Sequence, residues 1–281
     1  MTLELTVYLP DTHHDFLIAE LADLDFEAFE ARDDAVVAWG PARSWSDVHR
    51  EHVEQWLRRR DLPVRIEERV EAPHNWNATW EASVAPVAIG PFLVRPSWHA
   101  TPPEHTDKVL LEIDPKMSFG TGYHESTRLA LRFLPGLVTE GCRVLDAGTG
   151  TGILAIAALK LGTAEAHAFD IDPWSIENAA ENALDNRVGD RFVLREGGLE
   201  VIPEDGFDVI AANINREALR RMLPGFAAKL TPGGALILAG LLQTDRPVML
   251  DALADAGLAL SEEARENEWW SCVAKRPPLQ S

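Results

Sequence analysis

A glycine-rich turn lies near the middle of the chain, between an apolar strand pattern and a helix pattern. The run Val144-Leu-Asp-Ala leads into Gly148, Gly150 and Gly152, and a helix is predicted over residues 153–161. Because glycine has no Cβ, the backbone N–H groups of such a turn and the start of the following helix can approach a ligand closely. This order favours an open α/β sheet that binds its ligand at the strand ends.

The second half of the chain continues this alternation. Strands are predicted over residues 143–147, 166–171, 191–195, 208–212 and 235–239, with helices beginning near residues 153, 173, 216 and 245. The strands are near-continuous apolar runs, which is typical of parallel strands with helices on both faces. Residues 258–275 have the pattern of two more strands. Residues 104–281 are therefore predicted to form a doubly wound, Rossmann-like α/β domain.

The first 72 residues show a different order. Strand patterns over residues 3–9, 26–32, 35–40 and 64–70 alternate with two short helix patterns in the order βαββαβ, which fits a small ferredoxin-like α+β domain. Because residues 1–72 hold no cluster of catalytic residue types, we expect them to form a substrate-recognition domain. Residues 73–103 contain six prolines and three tryptophans with little periodicity, and this composition predicts a linker between the two domains.

The net charge narrows the possible partners. The chain has 26 Lys and Arg residues against 45 Asp and Glu residues, and its charge of -19 repels nucleic-acid phosphates and anionic membranes. Its longest apolar run, residues 235–242, is far shorter than the ~20 residues of a membrane span. Two cysteines are too few for a disulfide framework or a thiolate zinc site. We therefore expect a cytoplasmic protein without a membrane partner or tight nucleic-acid binding.

Polar residues are predicted at the carboxyl ends of two strands. Asp170 lies 22 residues after Gly148, where a carboxylate can accept hydrogen bonds from the ribose hydroxyls of a nucleoside. Asn213 ends the strand pattern over residues 208–212, at the sheet edge where open α/β folds hold ligands. The glycine turn and Asp170 together favour a nucleoside cofactor over a purely structural turn.

A second loop with two glycines precedes the glycine turn. In it, Gly120 and Gly122 flank Thr121, and Ser126 or Thr127 is a candidate cap for the helix that follows. His124 is followed by a glutamate, but position 128 is arginine instead of a second histidine. Because the H-E-x-x-H pattern is absent, we expect no metal site.

The motifs together resemble one known family. The glycine spacing G-x-G-x-G differs from the G-x-G-x-x-G of dinucleotide sites and resembles the nucleoside-methionine loop of class I S-adenosylmethionine-dependent methyltransferases. The runs Asp114-Pro-Lys-Met-Ser-Phe-Gly-Thr-Gly-Tyr-His-Glu-Ser-Thr, Val144-Leu-Asp-Ala-Gly-Thr-Gly-Thr-Gly, Asp170-Ile-Asp-Pro and Ala-Asn213-Ile resemble the ribosomal protein methyltransferases that modify protein eleven of the large subunit. The resemblance covers residues 104–276.

The resemblance implies roles for individual residues. Contact with S-adenosylmethionine is expected at four matching motif positions, Thr127, Gly148, Asp170 and Asn213, and we assign to the same site the neighbouring Gly120, Thr121, Gly150 and Asp172. Phe119 is expected to close over the cofactor and to form one wall of the amine site. Asn213 is expected near the reacting methyl group, and His124 is a candidate proton acceptor.

The activity implied is methyl transfer from S-adenosylmethionine to α-amino and lysine ε-amino groups of large-subunit protein eleven, free or ribosome-bound, by a monomeric enzyme. One alternative is a class I methyltransferase of another protein, a small molecule or RNA, although Ile214 follows Asn213 where nucleic-acid amino-methyltransferases usually carry proline. A second alternative is a non-catalytic ribosome-assembly binder that keeps the fold. The glycine spacing disfavours a dehydrogenase.

Overall fold

Two units with separate hydrophobic cores make up the chain, Met1–Glu81 and Ala82–Ser281. The computed structural model describes residues 2–22, 24–26, 28–42, 45–71, 85–114, 116 and 118–278. Within these residues, none of the helices has both the length and the apolar character needed to cross a membrane.

The first unit has the predicted order of elements: β1 (Thr2–Tyr8), α1 (His14–Ala22), β2 (Ala28–Arg32), β3 (Ala35–Pro41), α2 (Asp47–Arg58) and β4 (Ile66–Glu71). The strands form one antiparallel sheet in the order β2-β3-β1-β4. Alternate residues of β1, namely Leu3, Leu5 and Val7, are buried and pack with Leu17 of α1 and Leu57 of α2. Each of the four predicted strands lies within two residues of the observed one.

The second unit contains a large sheet with helices between its strands: α3 (Glu125–Leu137), β8 (Arg143–Ala147), α4 (Ile153–Lys160), β9 (Glu165–Asp170), α5 (Pro173–Asp185), β10 (Phe192–Glu196), β11 (Phe207–Asn213), α6 (Arg216–Lys229), β12 (Leu230–Leu242), α7 (Arg246–Asp255), β13 (Ala259–Glu266) and β14 (Trp269–Lys275). The strand order is β10-β9-β8-β11-β12-β14-β13. The first five strands in this order are parallel, as predicted. Because β14 is antiparallel to both neighbours, the sheet as a whole is mixed.

Helices cover both faces of this sheet, and successive strand residues point into different cores. On β8, Val144 packs with α3 and α4, whereas Leu145 packs in the core that contains α6 and α7. Every residue of α4 from Ile153 to Leu159 is buried, which explains why this segment is apolar on all sides. The strand order reverses between β8 and β11, and open α/β sheets bind ligands outside the strand ends at such a point.

The predicted linker requires a correction. Residues 72–84 lie outside the described part of the chain, but residues 87–95 form two strands, β5 (Val87–Ile89) and β6 (Phe92–Arg95). With β7 (Val109–Glu112) they make a three-stranded sheet. Ile89, Phe92 and Val94 are buried in the core of the second unit, so this stretch belongs to that unit. Pro91 lies in the turn before β6 and Pro96 directly follows that strand, so these prolines mark strand ends and not an irregular segment.

Candidate functional site

A cleft of about 670 Å³ opens at the carboxyl ends of β8 and β11, where the strand order reverses. Seven of the predicted site residues line it: Phe119, His124, Gly148, Gly150, Asp170, Asp172 and Asn213. The other three predicted residues, Gly120, Thr121 and Thr127, are not among the residues lining the cleft. Each of these three instead holds a neighbouring group in place, as their hydrogen bonds show.

The glycine loop, residues 148–152, is held by its own backbone N–H groups. Those of Gly148 and Thr149 both donate to the carbonyl of Phe169, at 2.9 and 3.0 Å. The N–H of Gly150 donates to Asp170 Oδ2 at 2.9 Å, and that of Gly152 to the carbonyl of Thr149 at 2.9 Å. Each of these N–H groups thus has a hydrogen-bond partner within the protein, and the close approach of the loop backbone to a ligand stays a prediction.

The loop needs glycine because other elements lie against its Cα atoms. Gly148 has a φ of 70°, and a Cβ there would lie 2.3 Å from Ile214 Cγ2. Gly150 has a φ of 54°, and a Cβ there would lie 2.2 Å from the carbonyl oxygen of Phe119. Both the backbone conformation and the close approach exclude a side chain at these positions.

The Phe119 loop, residues 118–122, is bonded to the glycine loop. The carbonyl of Phe119 accepts a hydrogen bond from the N–H of Thr151 at 2.9 Å, and the carbonyl of Gly120 accepts one from Thr151 Oγ1 at 2.6 Å. Thr121 Oγ1 accepts the N–H of Tyr123 at 3.3 Å, which stabilises the turn of the loop. The side chain of Phe119 is left 56% exposed at the cleft. Thr151 thus fixes Phe119 relative to the glycine loop.

Asp146 stabilises the glycine loop through hydrogen bonds to its buried carboxylate. Its carboxylate is buried, and Oδ2 accepts hydrogen bonds from Thr149 Oγ1 at 2.7 Å and from the N–H of Ala155 at 3.2 Å. Oδ1 is buried and has no hydrogen-bond partner among the described residues. Burial raises the pKa of the Asp146 carboxyl to about 6. The strand-end acid before the first glycine therefore acts as part of the loop's support.

Asp170 joins the glycine loop to the start of α5. Besides the bond from Gly150, its Oδ1 accepts the N–H of Asp172 at 3.0 Å. Asp172 is the N-cap of α5 and accepts the N–H of Trp174 at 3.2 Å and the hydroxyl of Ser175 at 3.1 Å. An ionised carboxylate has about four lone-pair sites. Asp170 can therefore accept hydrogen bonds from a ligand in the cleft while it keeps both backbone contacts.

Asn213 is positioned by Thr127. Asn213 Nδ2 donates to Thr127 Oγ1 at 3.2 Å, and Thr127 is fully buried at the start of α3. Asn213 Oδ1 is buried in the wall of the cleft and has no partner among the described residues. An unpaired buried acceptor is costly, and buried polar groups in proteins normally have a hydrogen-bond partner. Thr127 therefore orients Asn213 instead of lining the cleft.

His124 caps α3 and packs against aromatic rings. Its Nδ1 accepts the N–H of Ser126 at 3.3 Å and lies 2.8 Å from Ser126 Oγ. Because Nδ1 accepts a backbone donor, the proton of the neutral ring is on Nε2. The centroid of the ring is 4.4 Å from that of Trp269 and 5.3 Å from that of Phe119. This arrangement favours a packing and capping role over the predicted role as proton acceptor.

Trp269 lines the cleft and was missed by the sequence reasoning. Trp269 is the first residue of β14, directly after the turn from β13. Glu266, the last residue of β13, forms an ion pair of 2.6 Å with Arg128 of α3 and so holds this turn against the helix. One signal was present in the sequence: adjacent residues of a strand face opposite sides. Since Trp270 is fully buried in the core of α6 and α7, Trp269 must face the other side of the sheet.

The sequence is similar to one family over nearly its whole length. The family model described as ribosomal protein L11 methyltransferase (PrmA) matches residues 27–277. A ribosomal protein L11 methyltransferase of Porphyromonas gingivalis is 36% identical over 278 residues, covering 95% of this chain and 91% of that protein. One from Thermus thermophilus is 40% identical over 210 residues, covering 74% and 80% of the two chains.

A solved structure agrees with these relatives. The crystal structure of a ribosomal protein L11 methylase from Lactobacillus delbrueckii subsp. bulgaricus superposes with a TM-score of 0.64 at 30% identity. The match covers 68% of this chain and 98% of that one. Both the sequence and the large mixed sheet therefore lead to one assignment: the chain belongs to the ribosomal protein L11 methyltransferase family.

Proposed function

We propose that this chain transfers methyl groups from S-adenosylmethionine to α-amino and lysine ε-amino groups of ribosomal protein L11. Family membership supports the reaction and the substrate. The observation that carries the proposal is the cleft at the ends of β8 and β11, because an unpaired acceptor, Asn213 Oδ1, is buried in its wall. A ribosomal substrate also makes the cytoplasm the expected compartment, and we propose that the enzyme acts as a monomer.

The residues of the cleft fit S-adenosylmethionine. Asp170 has lone pairs left for the two ribose hydroxyls. The 77%-exposed side chain of Ile171 and that of Met222 offer apolar surface to the adenine ring, with Asp172 at its border. Gly148 lines the cleft beside these residues, so the methionine part can lie along its backbone. Asn213 Oδ1 would accept a donor from the cofactor or from the incoming amine.

When bound, S-adenosylmethionine supplies a methyl group on a sulfonium, which is already a strong electrophile. The work left to the protein is to exclude water and to hold a neutral amine in line with that methyl group. Phe119, His124 and Trp269 form a largely apolar wall at the cleft, which suits this task. Because His124 Nδ1 caps a helix, we assign removal of the amine proton to solvent.

The need for a neutral amine sets an order of reactivity. With a pKa of about 10.4, about one lysine side chain in a few thousand is neutral at pH 7. An N-terminal amine, with a pKa of about 7.7–8.0, is neutral in about a tenth of molecules. The N-terminal amine of the substrate should therefore react faster than its lysines at neutral pH, unless the enzyme binds the lysines better.

The first unit is proposed to recognise the substrate. Its βαββαβ order and its antiparallel sheet order β2-β3-β1-β4 are those of a ferredoxin-like domain. In our proposal residues 1–72 form this recognition domain and the segment after residue 72 links it to the methyltransferase domain. With β5 to β7 counted in the second unit, the proposed linker is shorter than residues 73–103.

Calorimetric titration tests the cofactor assignment. The full chain should bind S-adenosylmethionine and S-adenosylhomocysteine at micromolar concentrations and should not bind NAD. Binding of NAD alone would contradict the assignment. Binding of neither S-adenosylmethionine nor NAD would favour a ribosome-assembly protein that has kept only the fold.

A further inference from the structure

A second hollow of about 510 Å³ adjoins the cofactor cleft. The two share Ser118 and Asp172 as lining residues, so the hollow begins where the cleft ends. Its remaining lining comes from the first two turns of α5, through Trp174, Glu177 and Asn178, and from Lys116. None of the roles assigned above uses the side chains of Trp174 or Glu177.

The exposed indole of Trp174 is the first unusual feature of this hollow. The side chain is 73% exposed, although a tryptophan is a large apolar group that normally packs in a core. The buried face of α5 consists of Ser175, Asn178, Ala179, Asn182 and Ala183. The helix is therefore packed without Trp174, and its ring is available to a ligand in the hollow.

The charge of the hollow is the second feature. Glu177 lies three residues after Trp174 on α5, so the two side chains share one face of the helix. The carboxylate of Asp172 is at the same end of the helix. The one cation that lines the hollow among the described residues, Lys116, forms an ion pair with Glu181. The hollow thus combines an aromatic face with excess negative charge.

We propose that this hollow binds a lysine or arginine side chain of the protein substrate, close in sequence or space to the residue whose amine enters the cleft. The aliphatic stem and cationic head would lie over the indole of Trp174, and Glu177 would pair with the charge. The proposal rests on the proposed function, since the occupant belongs to the methylated protein. Binding in this subsite would hold the target amine near the cofactor without touching the cofactor.

Steady-state kinetics with ribosomal protein L11 test the subsite. Trp174→Ala and Glu177→Gln should each raise KM for L11 by about two- to tenfold. Their Kd for S-adenosylmethionine, measured by calorimetry, should stay within about twofold of the wild type. The matched controls lie on the same helix: Leu184→Ala removes another exposed apolar side chain, and Asp185→Asn removes another exposed charge. Both controls should leave KM unchanged.

A blocked hexapeptide of alternating arginine and glycine gives an independent readout. It carries cations but no amine that can be methylated, so it should inhibit L11 methylation competitively, and its glutamine counterpart should not. Inhibition should weaken in Glu177→Gln but not in Asp185→Asn, which has the same net charge.

Two results would contradict the proposal that the hollow is a substrate subsite. One is an unchanged KM for L11 in both Trp174→Ala and Glu177→Gln. The other is a loss of S-adenosylmethionine affinity as large as the rise in KM, which would assign the hollow to the cofactor. Absence of any methyl transfer by the wild-type enzyme is a separate outcome, because it contradicts the proposed function itself.

Discussion

Asn213 Nδ2 donates a hydrogen bond to Thr127 Oγ1, and this bond of 3.2 Å joins residues that lie 86 positions apart in the sequence. It connects the end of β11 to the first turn of α3. The bond uses one N–H of the Asn213 amide, whereas the acceptor, Oδ1, has no partner among the described residues. The orientation of a group at the cleft therefore depends on a buried hydroxyl outside it.

Removing that hydroxyl should reduce activity. In Thr127→Val the buried Nδ2 of Asn213 loses its acceptor, which should lower the free energy of unfolding by about 1–3 kcal/mol. With the amide free to turn, kcat for methyl transfer should fall by at least about fivefold. Thr127→Ser keeps the hydroxyl and should retain most of the activity. A Thr127→Val enzyme with wild-type kcat would show that the bond does not position Asn213 for the reaction.

Gly150 should be far less tolerant of alanine than Gly141. Both have positive φ, 54° and 80°, and this conformation alone should cost alanine about 1–2 kcal/mol at either position. A Cβ at Gly150 would lie 2.2 Å from the Phe119 carbonyl, whereas one at Gly141 would have no atom within 4 Å. We expect Gly150→Ala to raise the Kd for S-adenosylmethionine by at least about tenfold and Gly141→Ala to leave it unchanged. Equal changes in this Kd for the two variants would contradict close packing of the glycine loop against the Phe119 loop.

Asp170→Asn should weaken cofactor binding by at least about tenfold, since two charge-assisted hydrogen bonds to the ribose become weaker or are lost. The exposed Asp190→Asn serves as a control for the change in net charge. A cofactor analogue without the 2′-hydroxyl separates ribose binding from support of the loop. The wild type should discriminate against this analogue more strongly than Asp170→Asn does, because the asparagine oxygen accepts weaker hydrogen bonds than a carboxylate. If the two proteins discriminate equally, the ribose assignment is wrong.

Asp146 should make stability depend on pH. Burial raises the pKa of its carboxyl from 3.8 to about 6, so the folded state binds this proton more tightly than the unfolded chain does. Its contribution to the free energy of unfolding is therefore fully present below about pH 4 and is lost as the pH rises through about 6, a change of about 3 kcal/mol.

Urea unfolding of the wild type and Asp146→Asn between pH 4 and 7 measures this contribution. The asparagine variant cannot titrate at this position, and the other acidic residues are common to both proteins. The stability of the wild type relative to Asp146→Asn should decrease with rising pH over this interval. A constant difference would mean that the carboxyl does not titrate with a raised pKa.

The core sheet could be predicted because its strands are apolar on both sides. Val144 and Leu145 face different cores, and such runs between helix patterns predict parallel strands. The strands β5 and β6 were missed because they have only three and four residues, on either side of the Gly90-Pro91 turn. Strands this short show no clear periodicity in the sequence.

Residues that line the cleft could be predicted only where their position at the end of a strand places them there. Asp170 and Asn213 end strands, and strand ends line the cleft. Thr127 was misplaced because nothing local shows that its hydroxyl faces Asn213 and not a ligand. Trp269 was missed because the ion pair between Arg128 and Glu266 joins distant segments. Contacts between elements far apart in the sequence decide these cases.

The intact mass of purified ribosomal protein L11 after incubation with this enzyme and S-adenosylmethionine decides whether L11 is the substrate. We expect increments of one methyl mass with the wild type, strongly reduced increments with Asn213→Ala, and fragment masses that place the methyl groups on the N-terminal amine and on lysines. An unchanged mass, in an enzyme shown by calorimetry to bind S-adenosylmethionine, would contradict the proposed reaction on L11.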